Sequence, residues 1–218
     1  MILICTLSIL LLIIAYLLGS IPNAVWIGKK YYGIDVREHG SKNAGSTNVL
    51  RVLGRRAALP VFALDILKGF VAVTLVKTLG HIPEVSNVWL INLGIAAVFA
   101  AILGHIFPIF AGFNGGKGVA TLVGAVLGIN PPVVLLCLGV WLIIFMIFHY
   151  VSLASMIAGV CFPVFTIISS NASESTAFII FTIIIALLLI WTHRKNIERL
   201  REGTESKIYL LKKREPNE

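Results

Sequence analysis

The sequence has little charge. Asp, Glu, Lys and Arg together make up 13% of its 218 residues, against about 25% in an ordinary soluble domain. A water-facing surface is hard to build from so few charges, and disorder is excluded because disordered chains are polar. Cysteine is scarce as well. Cys5, Cys137 and Cys161 lie inside apolar runs with no C-x-x-C spacing, so they read as small core hydrophobes, without a disulfide framework or a zinc site. Several catalytic spacings are missing. None of the five histidines begins a His-x-x-x-x-Asp, the mark of thioester-dependent glycerolipid acyltransferases. The absence of His-Glu-x-x-His disfavours a zinc protease, and the absence of Asp-x-x-Asp disfavours magnesium-dependent prenyl and CDP-alcohol transferases.

What the chain does have is hydrocarbon: 58% hydrophobic residues and a mean hydropathy of +0.94. A helical span takes roughly 20 residues, which predicts an all-α polytopic membrane bundle of about seven transmembrane helices in a single domain, 1–218. The predicted spans are Ile2–Gly19, Ala57–Leu79, Val88–Phe107, a short one over Gly118–Gly128, Val133–His149, Leu153–Ser169 and Thr176–Thr192. The first is read as a true span, since it lacks the basic n-region of a signal peptide. Net charge is +8, and it is concentrated in two blocks. One block, Lys29 to Arg56, lies in a polar loop over about 26–56. The other runs from Arg194 to Arg214. The positive-inside rule places both in the cytoplasm, which requires an N-terminus outside and a C-terminus inside. Lys117 and the His149–Ser152 corner then face the same side. The result is a site at the cytoplasmic interface, not a pore, and nucleic acid is not needed to explain the charge.

Three stretches interleave small residues, hydroxyls, amides and cations. Arg37 to Arg51 contains Ser41, Asn43, Asn48 and Arg51, an arrangement that folds around an oxyanion; it also reads as a solvated loop with helix caps at Ser46 or Thr47. Gly115-Gly116-Lys117-Gly118 precedes an apolar helix, so backbone amides, a helix N-terminus and an ammonium meet there. The turn departs from a phosphate-binding NTPase loop at Ala111 and Gly118. His193, Arg194, Asn196 and Glu198 begin a basic juxtamembrane segment, which also suits anionic lipid. His105 near the end of the third span reads equally as structural or as a donor or base. Asp65 and Lys68, at i, i+3 and on the order of 12–17 Å into the second span, either neutralise one another or serve a function.

These stretches resemble the bacterial membrane glycerol-3-phosphate acyltransferases that use acyl phosphate, the PlsY family. The similarity runs through Gly19-Ser20-Ile21-Pro22, Gly40 to Arg51, Asp65-Ile66-Leu67-Lys68-Gly69, Gly104 to Thr121, and His193 to Glu205. Lys42 and Ala44 depart from it, because the family more often has Gly-Asn-Pro-Gly or Gly-Asn-Ile-Gly after the serine. The resemblance implies that the sn-1 hydroxyl of glycerol 3-phosphate attacks a fatty acyl phosphate, releasing lysophosphatidic acid and phosphate. It implies a multi-pass protein of the bacterial inner membrane with no cofactor or metal. The expected partners are the two substrates and membrane lipid, with a monomer as the working form. Ser41, Arg51, His105, Lys117 and Asn196 are the expected catalytic residues. Asn43, Asn48, Lys68, Gly115, Gly116, Gly118, Ser152, His193, Arg194 and Glu198 are expected to bind substrate. Without a His–Asp dyad, the leaving phosphate is expected to take the proton. A transporter would place ionisable groups mid-membrane in paired broken helices, a lipid-binding scaffold would not need the Gly-Gly-Lys-Gly turn, and an acyl-CoA transferase would carry the absent His-x-x-x-x-Asp.

Overall fold

The computed structural model describes residues 1–169 and 176–209, and the regular structure there is entirely helical. The expected turn at 170–175 and the cations at 212–214 lie outside the described residues. In chain order the helices are α1 (Ile2–Gly19), α2 (Asn23–Tyr32), α3 (Ser46–Leu53), α4 (Arg55–Thr74), α5 (Asn87–Ile106), α6 (Val119–Leu127), α7 (Pro131–Phe148), α8 (Val151–Ser169), α9 (Thr176–Thr192) and α10 (Arg194–Arg201). Local chemistry sets their ends. Pro22 cannot continue the α1 hydrogen-bond ladder. Ser86 caps α5 by accepting from Trp89 N at 3.2 Å. Asn130 caps α7 by accepting from Val133 N at 3.3 Å, with proline in the first helical position.

Five segments are long and apolar enough to cross a membrane, and a sixth qualifies if α9 and α10, which meet at 56°, count as one. The expected fourth span is α6. Its nine residues rise roughly 14 Å, about half of a hydrocarbon core of about 30 Å. The polar loop expected over 26–56 is more ordered than its composition suggests. It holds most of α2 and all of α3, because Val36 and Val49 bury against Ala57 and Val61 of α4. The expected caps at Ser46 and Thr47 are not used: α3 starts at Ser46 behind Gly45, with no side-chain cap.

Two helix pairs approach too closely for any side chain between them. A Cβ on Gly124 of α6 would collide with the Ile66 carbonyl of α4, and one on Gly69 with the Thr121 carbonyl. The same holds for Gly19 of α1 against Ala101 and for Gly104 of α5 against Tyr16. Small residues at such crossings are the usual device for packing helices in lipid. The C-terminal ends of α1, α5, α7 and α9 and the N-terminal ends of α4, α6 and α8 gather on one face, where α2, α3 and α10 cover them. Away from that face the core is hydrocarbon. Beyond Lys68, α4 and the turn that follows it bury Ala72, Val73, Val76 and Leu79 in one cluster with Leu93, Ala97 and Val98 of α5. The buried hydroxyls of Thr166 and Thr182 are satisfied by carbonyls of their own helices, at 2.9 and 2.7 Å.

Lys42 has a φ of 56°, in the left-handed region that glycine adopts at little cost, and it stands where the resembled family more often has glycine. Lys42→Gly is therefore expected to raise stability by about 1 kcal/mol, read as a higher melting midpoint in detergent. Gly124→Val is expected to lower that midpoint by several degrees through overpacking. Gly139→Val on the open face of α7, where an added Cβ meets nothing within 4 Å, should leave it unchanged.

Candidate active site

On the gathered face lies a cavity of about 460 Å³. Its polar side carries Ser41, Ser46 and Arg51 from α3 and the segment before it, Lys117 and Gly118 from the turn before α6, Ser152 from α8, and His193, Asn196 and Glu205 from the C-terminal segment. Its other side is apolar, with Leu59 and Phe62 of α4, Val123 of α6, and Leu138, Trp141 and Phe145 of α7.

Glu205 is the hub of the polar side, only 6% exposed. One carboxylate oxygen accepts from Ser152 Oγ at 2.9 Å and Asn196 Nδ2 at 2.8 Å. The other accepts from Arg199 Nε at 2.7 Å. Burial pushes the Glu205 carboxyl up, but the hydrogen bonds from Arg199, Asn196 and Ser152 outweigh it and hold the group below the usual range. Asn196 turns its carbonyl the other way and accepts from Lys117 Nζ. Burial lowers the Lys117 ammonium to about 8, with Glu205 opposing and Arg199 and Arg51 reinforcing the fall. Arg51 sends Nη2 to within 3.6 Å of Glu205. Its Nε is buried and has no hydrogen-bond partner among the described residues. Arg51 and the Lys117 ammonium line the same cavity, and paired cations of this kind are a site for an anion.

A second cluster closes the inner end. Asp65 accepts from Asn23 Nδ2 and pairs with Lys68 Nζ, both at 2.9 Å, and Lys68 also donates to the Ile21 carbonyl at 2.8 Å. The pair is the mutual neutralisation that one of the two readings of Asp65 and Lys68 expects. His105 Nδ1 faces Thr121 Oγ1 at 3.1 Å and lies 3.8 Å from Asp65 Oδ1. A His–Asp pair invisible as a spacing in the sequence therefore exists in space. The other edge of the ring packs on Gly116, where any Cβ would strike Nε2.

The glycine turn differs from the expected amide cradle. Gly115 N donates to the Ile106 carbonyl and Gly116 N to the His105 carbonyl, both at 3.1 Å. These amides tie the turn to the end of α5 and do not face the cavity. Gly118, at φ 80°, makes the bend that starts α6. On the first loop, Asn48 accepts from Ser41 N and Oγ and donates to the Val36 and His39 carbonyls, at 2.8 to 3.1 Å. It shapes the loop that presents Ser41 and Asn43. Arg37 clamps that loop to the glycine turn. It donates to the Ala111 carbonyl at 2.7 Å and pairs with Asp35 at 2.7 Å, and its hydrogen bonds hold the Asp35 carboxyl well below the usual range against the opposing effect of burial.

Of the residues expected from the sequence, Ser41, Asn43, Asn48, Arg51, His105, Lys117, Gly118, Ser152, His193 and Asn196 meet at the cavity. Lys68, Gly115 and Gly116 stand behind it, with their polar groups engaged as described. Arg194 and Glu198 are exposed and outside it. Arg194 stacks on Trp191, 4.7 Å from the ring centroid, because a residue beside His193 on a helix start points to a different side. Glu205, Arg199 and Arg37 are not among the residues expected from the sequence, and Asp65 is expected there only as the partner of Lys68. An acidic residue at the end of an otherwise basic signature is the signal that marks Glu205.

The sequence family described as glycerol-3-phosphate acyltransferase matches residues 9–203. Among similar curated proteins, all called glycerol-3-phosphate acyltransferase, that of Thermoanaerobacter sp. (strain X514) is 46% identical over 92% of this chain and 96% of its own length. That of Coxiella burnetii (strain CbuG_Q212) is 44% identical over 93% and 98%. Two crystal structures of PlsY, an integral membrane glycerol 3-phosphate acyltransferase, superpose on this fold. The glycerol 3-phosphate form has a TM-score of 0.80 and the lysophosphatidic acid form 0.77. Each is 39% identical over 94% of this chain and 96% of that chain. With an all-helical multi-pass architecture and these relatives along nearly its whole length, the chain belongs to the glycerol-3-phosphate acyltransferase family, PlsY type.

Proposed function

We propose that this chain transfers the acyl group of a fatty acyl phosphate to the sn-1 hydroxyl of glycerol 3-phosphate. The observation that carries the reading is one cavity with two unlike sides. The Arg51 guanidinium and the Lys117 ammonium offer charge to phosphate, and the α4 and α7 side chains offer a bed to an acyl chain. The PlsY structures described as glycerol 3-phosphate and lysophosphatidic acid forms supply the acceptor and the product of such a transfer. Lys117 and Gly118 hold the acyl phosphate, Ser41 and Arg51 contact phosphate, and His193 and Asn196 orient glycerol 3-phosphate. No cofactor or metal enters. The protein works as a monomer in the inner membrane, with the N-terminus outside, the half-length α6 counted as the seventh crossing because it carries the chain from the gathered face toward the start of α7, and the cavity facing the cytoplasm, where both basic blocks belong.

In the reaction the sn-1 oxygen bonds to the acyl carbon and the carbon–oxygen bond to phosphate breaks. The hydroxyl proton passes to the leaving phosphate, giving lysophosphatidic acid and inorganic phosphate. Asp65 supports this assignment of the proton, because it pairs with Lys68 at 2.9 Å and lies 3.8 Å from His105 Nδ1, which instead faces Thr121, so the imidazole has no carboxylate among the described residues within hydrogen-bond reach to make it a stronger base. His105 acts as a positioning residue that holds the glycine turn. Catalysis is then mainly alignment and charge stabilisation.

Three outcomes test the reading. Purified protein given glycerol 3-phosphate and palmitoyl phosphate should form lysophosphatidic acid and phosphate, and palmitoyl-CoA should not replace the donor; product only with the thioester sinks the proposal. His105→Gln should lose less than about 100-fold in kcat, below the range of a general base, and near-total loss with binding intact would make His105 the base. The charged form of Lys117 is the active one and its folded value is about 8, so kcat/KM should fall as pH rises through about 8. The kcat profile should break at higher pH, since bound phosphate favours the ammonium. A kcat/KM profile flat from pH 7 to pH 9 would contradict that role.

A further inference from the structure

The apolar side of the cavity does not end at α7. A second hollow of about 70 Å³ lies deeper between α6, α7 and α8, and Val119, Val123, Leu138, Trp141 and Ser155 line both spaces. Helical periodicity joins them. On α6, Val119, Val123 and Val126 follow one another at i, i+4 and i+7, starting two residues after Lys117. On α7, Trp141, Leu138 and Val134 descend at the same kind of spacing. Each stripe runs from the polar end into the hollow, over roughly 10 Å of helix rise.

The largest side chain at the junction is Trp141, and it is held in place. Its indole N–H donates to Ser155 Oγ at 3.2 Å, and Ser155 donates to the Val151 carbonyl at 2.8 Å. Its ring stacks on Phe145, with centroids 5.0 Å apart and planes 16° from parallel. A tryptophan anchored through both its polar end and its face makes a fixed partition. Ala158 of α8 lines only the inner side of it.

We propose that Trp141 sets the length of acyl chain the enzyme accepts. The chain descends from the phosphate end along the α6 and α7 stripes, its terminal carbons pass the indole, and the small hollow receives them. This rests on the acyl-transfer reading above. The test is competition among myristoyl, palmitoyl and stearoyl phosphate on the full chain in detergent, with product lysophosphatidates resolved by mass. Trp141→Ala merges the two spaces and should raise the stearoyl-to-myristoyl ratio of kcat/KM about tenfold, while Ala158→Phe fills the hollow and should lower it by a similar factor, the scale on which apolar pockets discriminate methylenes. Should either variant fail to purify folded, Trp141→Phe and Ala158→Val read the same ratio, with smaller shifts in the same directions. Unchanged ratios in an active wild type and its variants overturn the role of Trp141 and leave acyl transfer standing. A wild type inactive with every acyl phosphate overturns both.

Discussion

The polar face depends on one buried carboxylate. Glu205 draws together a serine from α8, an asparagine and an arginine from α10, and the arginine of α3. Those elements are far apart in the chain, and their cations would repel one another without a counter-charge. A buried ion pair adds little net stability but is costly to break. Here its value is positional: through Asn196 it also fixes where the Lys117 ammonium stands. The site keeps a surplus of positive charge, and a phosphorylated ligand would meet that surplus.

A second division of labour follows from the first. Groups that offer charge to the cavity are held by groups whose hydrogen bonds go to the protein. Asn48 shapes the loop behind Ser41, Arg37 clamps that loop to the glycine turn, and His105 fills the space that Gly116 leaves. The glycines serve this backing layer as much as any ligand, since two of their amides are tied to the end of α5.

Much of this was legible in the sequence, for identifiable reasons. Long apolar runs place the large helices to within a few residues, because hydrocarbon needs no partner to declare itself. The basic blocks mark one face, and most of the expected site residues do converge on it. Spacing along the chain could not show contacts across it. Asp65 and His105 are forty residues apart, on α4 and α5, and become neighbours only because those two helices pack against each other. Arg194 and Glu198 looked equivalent to His193 and Asn196 in a row of polar letters. The helix turns them outward, a distinction of angle that composition does not carry. The loop over 26–56 hid two helices because its few buried valines are outnumbered by polar residues.

The hydrocarbon beyond Lys68 has an electrical meaning. The buried ionisable groups of α4 stop at the Asp65–Lys68 pair, and the next turns present only alanine, valine and leucine to α5. The nearby threonine hydroxyls spend their hydrogen bonds on their own helices, so no chain of polar side chains continues from the cavity toward the opposite surface among the described residues. Water admitted with the polar ligands meets a dielectric wall. Among the described residues the bundle therefore gives a proton no polar side-chain route past the Asp65–Lys68 pair, and the charged face is insulated from the opposite end.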